Sequence, residues 1–518
     1  MKKGALFLLP ALSALCATLS LPAHDYGFLA WVALVPLLFA LRRSGMLAGA
    51  ALGFVYGYVF GLGSFWWLPG TEEVGLAQFL LVIVPSFALF YLPFGLFYSL
   101  LNPVMDTWMI LFAPALWVGA EYMRAHLFFL AMPWNFIGHS QYQYLTVIQI
   151  ADITGVYGVS FLIVMVNQLV AQGAEFLLKQ GKSPLRNWIV CPVTVTVLVG
   201  LTLFYGWNKR TPSQKTGHIR AALVQANALA RDNMTVPEQR NHFNTYRRLT
   251  LEAAKQSPDL IIWPASSLPA PFSSSLVRRT VRQIAREAGT CLLVGGAGIE
   301  KFKSRKKGQA PYSNSEFLIK PDGRLEKRYD KIQLVPFNEY LPLQGIIPWP
   351  RWITTLKYSF IPGDKYTLFE VSGSKFGAPI CWEGLFSDLF RRFVKAGANF
   401  MVNVTNEGYT GRSAAPYQTL AMTVFRAVEN RVVVLRAATT GISCFIAPDG
   451  AIIRRIQDQK GNDLFVSGIM VRNVPLYHAG TSYTMHGDWF AFAAIVVTLA
   501  GLLAAVLRRR QIRSQMRT

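Results

Sequence analysis

Hydrophobic and polar positions follow two different patterns along this chain. Up to about residue 206 the apolar positions form long runs, at 5–22, 27–41, 46–66, 77–101, 107–120, 156–175 and 188–206. One more run lies at 489–507. Each is about 14–25 residues, close to what a helix needs to cross the hydrocarbon core of a bilayer, with 27–41 and 107–120 the shortest. Between 207 and 488 short β-like apolar runs alternate with helix-period segments. Strands are predicted at 219–225, 260–263, 291–295, 315–319, 377–380, 400–404, 432–435 and 442–446, and 366–371 is a further strand-like run. Helices are predicted at 238–255, 274–288, 385–396 and 414–430, and Pro448-Asp449-Gly450 reads as a hairpin turn. Such alternation implies an α/β domain large enough for its own core.

The pattern therefore predicts a polytopic α-helical membrane bundle of about eight spans together with an α/β domain. Residues 1–206 form the transmembrane helical domain, with about seven spans, and 207–488 the α/β domain. Residues 489–518 form a final span and a basic tail. Composition agrees: 52% of residues are apolar and only 15% charged.

The net charge of +23 refines the picture rather than changing it. Basic residues flank the apolar runs: Lys2 and Lys3, Arg42 and Arg43, Lys179, Lys182 and Arg186, and Arg508, Arg509, Arg510, Arg513 and Arg517. With Lys2 and Lys3 inside, about eight spans put every cluster on the cytoplasmic side and 207–488 outside. Lys2, Lys3 and run 5–22 resemble a signal peptide, but run 27–41 follows at once, so the first run is read as an uncleaved span. The basic residues do not outline a polyanion groove, and no zinc-finger, RNP or helix-turn-helix signature is present, so nucleic acid is not an expected partner. Five cysteines without a CxxC imply neither a disulfide framework nor a metal site. Gly295-Gly296-Ala297-Gly298 lacks phosphate-loop spacing and reads as a turn. The polar and aromatic residues of 121–155, including Glu121, Arg124 and Pro133-Trp134-Asn135, read equally well as an interfacial belt.

Candidate chemistry gathers around Phe376-Gly377-Ala378-Pro379-Ile380-Cys381-Trp382-Glu383-Gly384. Cys381 falls where a predicted strand turns into a predicted helix. Backbone N–H groups at a helix N-terminus favour a thiolate and can bind an oxyanion. A buried core cysteine is the alternative reading. Two charged residues, Lys331 and Glu339, flank an apolar stretch, and Asn406 ends the strand at 400–404. Taken singly, these read as solvated charges and a turn.

Together these residues resemble the nitrilase (carbon–nitrogen hydrolase) superfamily, and within it the apolipoprotein N-acyltransferase family. The resemblance covers nearly the whole chain. It rests on Pro133-Trp134-Asn135, Tyr329-Asp330-Lys331, Leu334-Val335-Pro336-Phe337, Ile380-Cys381-Trp382-Glu383, Arg426-Ala427-Val428-Glu429, Thr440-Gly441-Ile442-Ser443 and Gly487-Asp488-Trp489. It implies an α-β-β-α sandwich with a Glu-Lys-Cys triad, in which Cys381 matches the nucleophile and Lys331 the lysine. Glu339 and Glu383 match further acidic residues near the reacting centre, with Trp382 and Asn406 in supporting positions. One departure stands out. The family pattern Trp-Pro-Glu reads Trp263-Pro264-Ala265 here, so the expected general base is missing. A single Glu→Ala change, deliberate or natural, accounts for it; in the natural case Glu339 or Glu383 would take over. Smaller departures are Asn338, where the family usually has Gly, and Trp382, where it usually has an aromatic such as Tyr.

The resemblance further implies N-acylation of a diacylglyceryl-modified apolipoprotein at the bacterial inner membrane, the catalytic domain lying on the periplasmic side. A phospholipid, phosphatidylethanolamine in the family, donates the acyl chain through a Cys381 thioester. No metal or cofactor is implied. With Ala265 in place of the base, the chain is expected to be inactive or impaired. A membrane-anchored amidase and a non-catalytic lipid or lipoprotein binder are the alternatives. Trp349, Trp352 and Phe360 lie in an irregular, Pro-rich run at 341–363 whose aromatics suit either a lipid-contacting loop or one packed on its own domain.

Overall fold

The computed structural model describes residues 7–71, 74–178, 185–210, 215–230, 234–299, 312–350, 352–354, 356 and 359–515. The chain divides into two units, Met1–Arg210 with His486–Thr518, and Thr211–Met485.

The first unit is helical. Among the described residues, five of its helices are long and apolar enough to cross a membrane: Met46–Gly70, Leu76–His126, Val156–Leu178, Ile189–Lys209 and Trp489–Gln511. Shorter apolar helices are Leu8–Ser20, Gly27–Leu41 and Leu145–Thr154. The predicted runs 77–101 and 107–120 fall in the single stretch Leu76–His126, which has a sharp backbone break at Asp106 (φ 33°) between Leu92–Met105 and Met109–His126. Small residues govern the packing. Gly49, Gly53 and Gly57 recur every fourth residue, and a Cβ on any of them would collide with the helices carrying Ala88, Tyr91, Gly95 and Ser99. Glycine at this spacing lets two helices approach backbone to backbone, which replaces the hydrophobic drive that lipid removes. Run 27–41 is interrupted between Ala30–Ala33 and Val35–Leu41. The buried amide of Asn167 spans the interruption, accepting from Leu34 N at 2.8 Å and donating to Ala30 O at 2.9 Å. Backbone groups freed inside a membrane helix need such a partner.

Among the described residues the second unit has two six-stranded sheets. In chain order the strands are β1 (Lys215–Gln225), β2 (Leu260–Ile262), β3 (Cys291–Ile299), β4 (Tyr312–Ile319), β5 (Leu325–Asp330), β6 (Phe369–Val371), β7 (Ser374–Gly377), β8 (Phe400–Thr405), β9 (Val433–Ala438), β10 (Cys444–Ile446), β11 (Ile452–Arg455) and β12 (Gly468–Tyr477). The helices are α1 (Val236–Ala254), α2 (Ser275–Ala288), α3 (Ser387–Lys395) and α4 (Ala415–Asn430). One sheet runs β12-β1-β2-β3-β4-β5 and the other β11-β10-β9-β8-β7-β6. Each has a parallel trio, β1-β2-β3 or β7-β8-β9, extended by antiparallel strands. The sheets meet through β1 and β12 against β9, with α1 packed on the first sheet and α3 and α4 on the second. The result is the α-β-β-α sandwich that the resemblance implies.

Residue pattern explains the layers. β8 and β9 are buried at every position, as strands covered on both faces are. From β1, Ala222 and Val224 join Tyr246, Trp263, Val281 and Phe317 in the core beneath the helices. The helix signals are local: Thr235 and Glu238 form a reciprocal capping box at the start of α1, and Gly289 (φ 62°) ends α2.

The structure also departs from the predicted elements. β5, β11 and β12 were not predicted. β12 contains Pro475 and Arg472; it lies at the sheet edge, where proline is tolerated, and pairs with β1 over its whole length. The strand predicted at 377–380 stops at Gly377 and continues only as the bridge between Ile380 and Val404. The helix predicted from 385 begins at Ser387, after a separate 3-10 turn, Cys381–Leu385.

Candidate active site

Cys381 follows β7 and opens that 3-10 turn with φ 50°, a left-handed conformation that side-chain-bearing residues rarely adopt. Strained backbone of this kind costs of order 1–3 kcal/mol and persists where its surroundings fix it. The sequence expectation of a helix N-terminus behind the thiol is therefore corrected: the turn, not α3, presents Cys381. The thiol is half-buried, and Thr405 Oγ1, from the end of the neighbouring parallel strand β8, lies 3.5 Å from Sγ.

Lys331 stands just past β5, fixed through its own backbone: its N–H donates to Asn314 O and its carbonyl accepts from Gly363 N–H, both at 2.8 Å. Its ammonium is buried and donates to Glu339 Oε1 at 2.9 Å and Oε2 at 2.7 Å. Burial opposes the charge on Lys331, but the Glu339 carboxylate, with a further contribution from Cys381, outweighs it and raises the lysine pKa. Glu339 also accepts from Val335 N–H at 2.8 Å and from Asn314 Nδ2 at 3.0 Å. Its acceptor capacity is thus taken up by Lys331, Val335 and Asn314.

Glu383 is fully buried and accepts four donors: Tyr329 Oη, and the backbone N–H groups of Ile332, Gln333 and Ile380 at 2.7–2.9 Å. Burial raises its pKa, opposed by those hydrogen bonds and by Lys331. The carboxyl ties the segment after Lys331 to the residue before Cys381, so Lys331 and Cys381 are set by one shared anchor.

The other expected residues separate. Ala265 is buried on the turn after β2, where Trp263 N–H donates to Leu293 O and Leu268 N–H to Gly295 O. Trp382 is half-buried with its ring edge-on to Phe386. Asn406 Oδ1 accepts from Gly408 N–H at 3.2 Å, a local turn contact. Of the loop aromatics, Trp349 donates from Nε1 to Pro342 O and packs edge-on against Phe337, whereas Trp352 is 60% exposed. Phe360 is half-buried, and its N–H donates to Glu339 O at 2.8 Å. Sequence reasoning missed Thr405, Asn314 and Glu316, which join the site only through strand pairing. It also missed the buried Glu407–Arg436 pair, from a turn and a strand far apart in sequence.

Residues 13–169 match the apolipoprotein N-acyltransferase N-terminal domain, and residues 220–476 match the carbon–nitrogen hydrolase family. The apolipoprotein N-acyltransferase of Geobacter metallireducens is 34% identical over 98% of this chain and 96% of its own length. Apolipoprotein N-acyltransferase 1 of Treponema denticola is 27% identical over 98% of each. Among solved structures, an amidase from Nesterenkonia sp. AN1 is 18% identical, with a TM-score of 0.37 over 50% of this chain and 94% of that one. With a membrane-type helical unit, a sandwich bearing Cys381 and Lys331, and an end-to-end relative at this identity, the chain belongs to the apolipoprotein N-acyltransferase family.

Proposed function

We propose that this chain moves an acyl chain from a membrane phospholipid to the α-amino group of the diacylglyceryl-cysteine that begins an apolipoprotein. The observation that carries this reading is the pairing of Cys381, on its strained turn, with a buried Lys331 held by Glu339, in a chain related end to end to named N-acyltransferases. Cys381 Sγ attacks the ester carbonyl carbon of the donor, phosphatidylethanolamine in this reading. Lys331 spends two of its three N–H donors on Glu339 and turns the third toward the developing oxyanion. The lysophospholipid alcohol departs and leaves a thioester on Cys381. The incoming amine then takes the acyl chain and releases the thiol. Both steps move protons, and a positioned acid–base group contributes about 10²–10⁴-fold to such transfers. Ala265 cannot fill that role.

Basic residues beside the apolar helices support placement in the bacterial inner membrane, with both termini in the cytoplasm and 207–488 in the periplasm. The division at 206 and 488 between membrane, catalytic and final-span segments belongs to the same reading. The test is incubation of the membrane-embedded chain with labelled phospholipid and a diacylated lipopeptide. A gain of one acyl chain by the peptide, with a thioester trapped on Cys381, is the expected result. Release of ammonia from small amides without acyl transfer would instead identify a hydrolase. Reporter fusions at Gly217 and Thr518 are expected in opposite compartments.

A further inference from the structure

Glu316 is a buried carboxyl that the reaction above leaves unused. It lies in β4, fully buried, and neither carboxylate oxygen has a hydrogen-bond partner among the described residues. Unpartnered buried carboxyls are costly and call for an explanation. Three observations fix where it points. First, β4 pairs antiparallel with β3 so that Glu316 stands opposite Gly295. Directly opposed residues share a face, and glycine leaves that face open. Second, a Cβ built onto Gly295 would press against Glu316 Oε1 and lie 2.8 Å from Ala265 Cα. The carboxyl thus passes over Gly295 to the place where a side chain at 265 would begin. Third, Asn314, two residues earlier and so on the same face, already reaches Glu339, the partner of Lys331. Glu339 and Glu383 are committed to four polar contacts each, and Glu407 is paired with Arg436.

We infer that Glu316 supplies the general acid–base carboxyl of this active site, delivered from β4 across Gly295 into the space left by Ala265. This rests on the acyl-transfer reading above and replaces the expectation of an inactive chain, which followed only if position 265 were the sole source of a proton carrier. Burial without a compensating donor raises the Glu316 pKa well above the usual carboxylate range, which favours its holding a proton. The proton balance then closes. Glu316 takes the Cys381 thiol proton, the S–C bond forms, the ester C–O bond breaks, and Glu316 gives that proton to the departing alkoxide. In the second step the amine nitrogen bonds to the thioester carbon, the C–S bond breaks to return the thiolate, and the Glu316 carboxylate takes the proton that the amine loses.

The experiment compares four chains in membranes by transfer of a labelled acyl group to a diacylated lipopeptide: the parent, Glu316→Gln, Ala265→Glu, and Ala265→Glu with Glu316→Gln. The parent is expected to transfer, and Glu316→Gln, which keeps shape and burial, to fall by about 10²–10⁴-fold. Adding Ala265→Glu to Glu316→Gln is expected to recover most of that loss. Transfer by Glu316→Gln within about threefold of an active parent overturns the assignment and leaves the functional reading intact. An inactive parent that gains transfer with Ala265→Glu also overturns it. Absence of transfer from both the parent and Ala265→Glu, each folded, overturns the functional reading itself. Where Glu316→Gln does not fold, the exchange Ala265→Glu with Glu316→Ala decides: transfer near the parent's supports the assignment, and a folded, inactive exchange sinks it.

Discussion

Tyr329 donates its phenol to both carboxylate oxygens of Glu383, at 2.8 and 2.9 Å, across 54 residues of chain. The contact joins the end of β5, which delivers Lys331, to the turn that presents Cys381. Removing the Glu383 carboxyl orphans a phenol and three backbone N–H groups, and buried orphaned donors cost about 1–3 kcal/mol each. Glu383→Ala is therefore expected to destabilise the catalytic unit by at least about 3 kcal/mol, seen as a lower melting temperature. Tyr329→Phe, which leaves the N–H donors paired, should lose much less. Equal losses would show that the phenol, not the carboxyl, is the anchor.

The Lys331–Glu339 pair predicts a second outcome. Lys331→Met keeps the apolar stem but leaves Glu339, only 12% exposed, without its main partner. Breaking one side of a buried ion pair costs about 3–5 kcal/mol. Lys331→Met should therefore lose both stability and thioester formation on Cys381, whereas Cys381→Ser should lose the thioester alone. Melting curves and intact mass of the acylated protein separate the two.

The two tryptophans of the 341–363 loop should behave differently. Trp349 is tied to Pro342 O at 2.6 Å and packs on Phe337, so Trp349→Ser is expected to lower the melting temperature. Trp352 is 60% exposed, so Trp352→Ser should leave stability within about 0.5 kcal/mol, as surface changes do. If the loop contacts lipid, Trp352→Ser should raise KM for phospholipid. An unchanged KM with unchanged stability would remove the loop from lipid engagement.

The raised pKa of Glu316 carries a stability signature. A carboxyl whose folded pKa exceeds its unfolded value of about 4.3 favours the fold fully below that pH, and the benefit is lost as pH rises through the folded pKa. The parent should therefore lose melting temperature relative to Glu316→Gln as pH is raised above the usual carboxylate range. Parallel curves for the two chains would mean that Glu316 is already charged and compensated at low pH.

The two hydrophobic textures determine by themselves that a membrane-type helical unit carries an α/β unit, because burial in lipid and burial between sheets demand different periods. Adjacent residues likewise single out Cys381 and Lys331 as candidates, since each stands in a contiguous motif. Tertiary structure decides the rest. A charged residue in a strand-like run, such as Glu316, reads as a solvent-facing position until the β3–β4 register sets it opposite Gly295 and over Ala265. Glu339 and Glu383 look equivalent in sequence; the fold makes one the holder of Lys331 and the other the anchor of the cysteine turn, according to which donors surround each. The turn at Cys381 has the same origin: its positive φ is imposed by Ile380 bridging to Val404 and by Glu383 folding back on the Ile380 N–H, constraints that no local propensity contains.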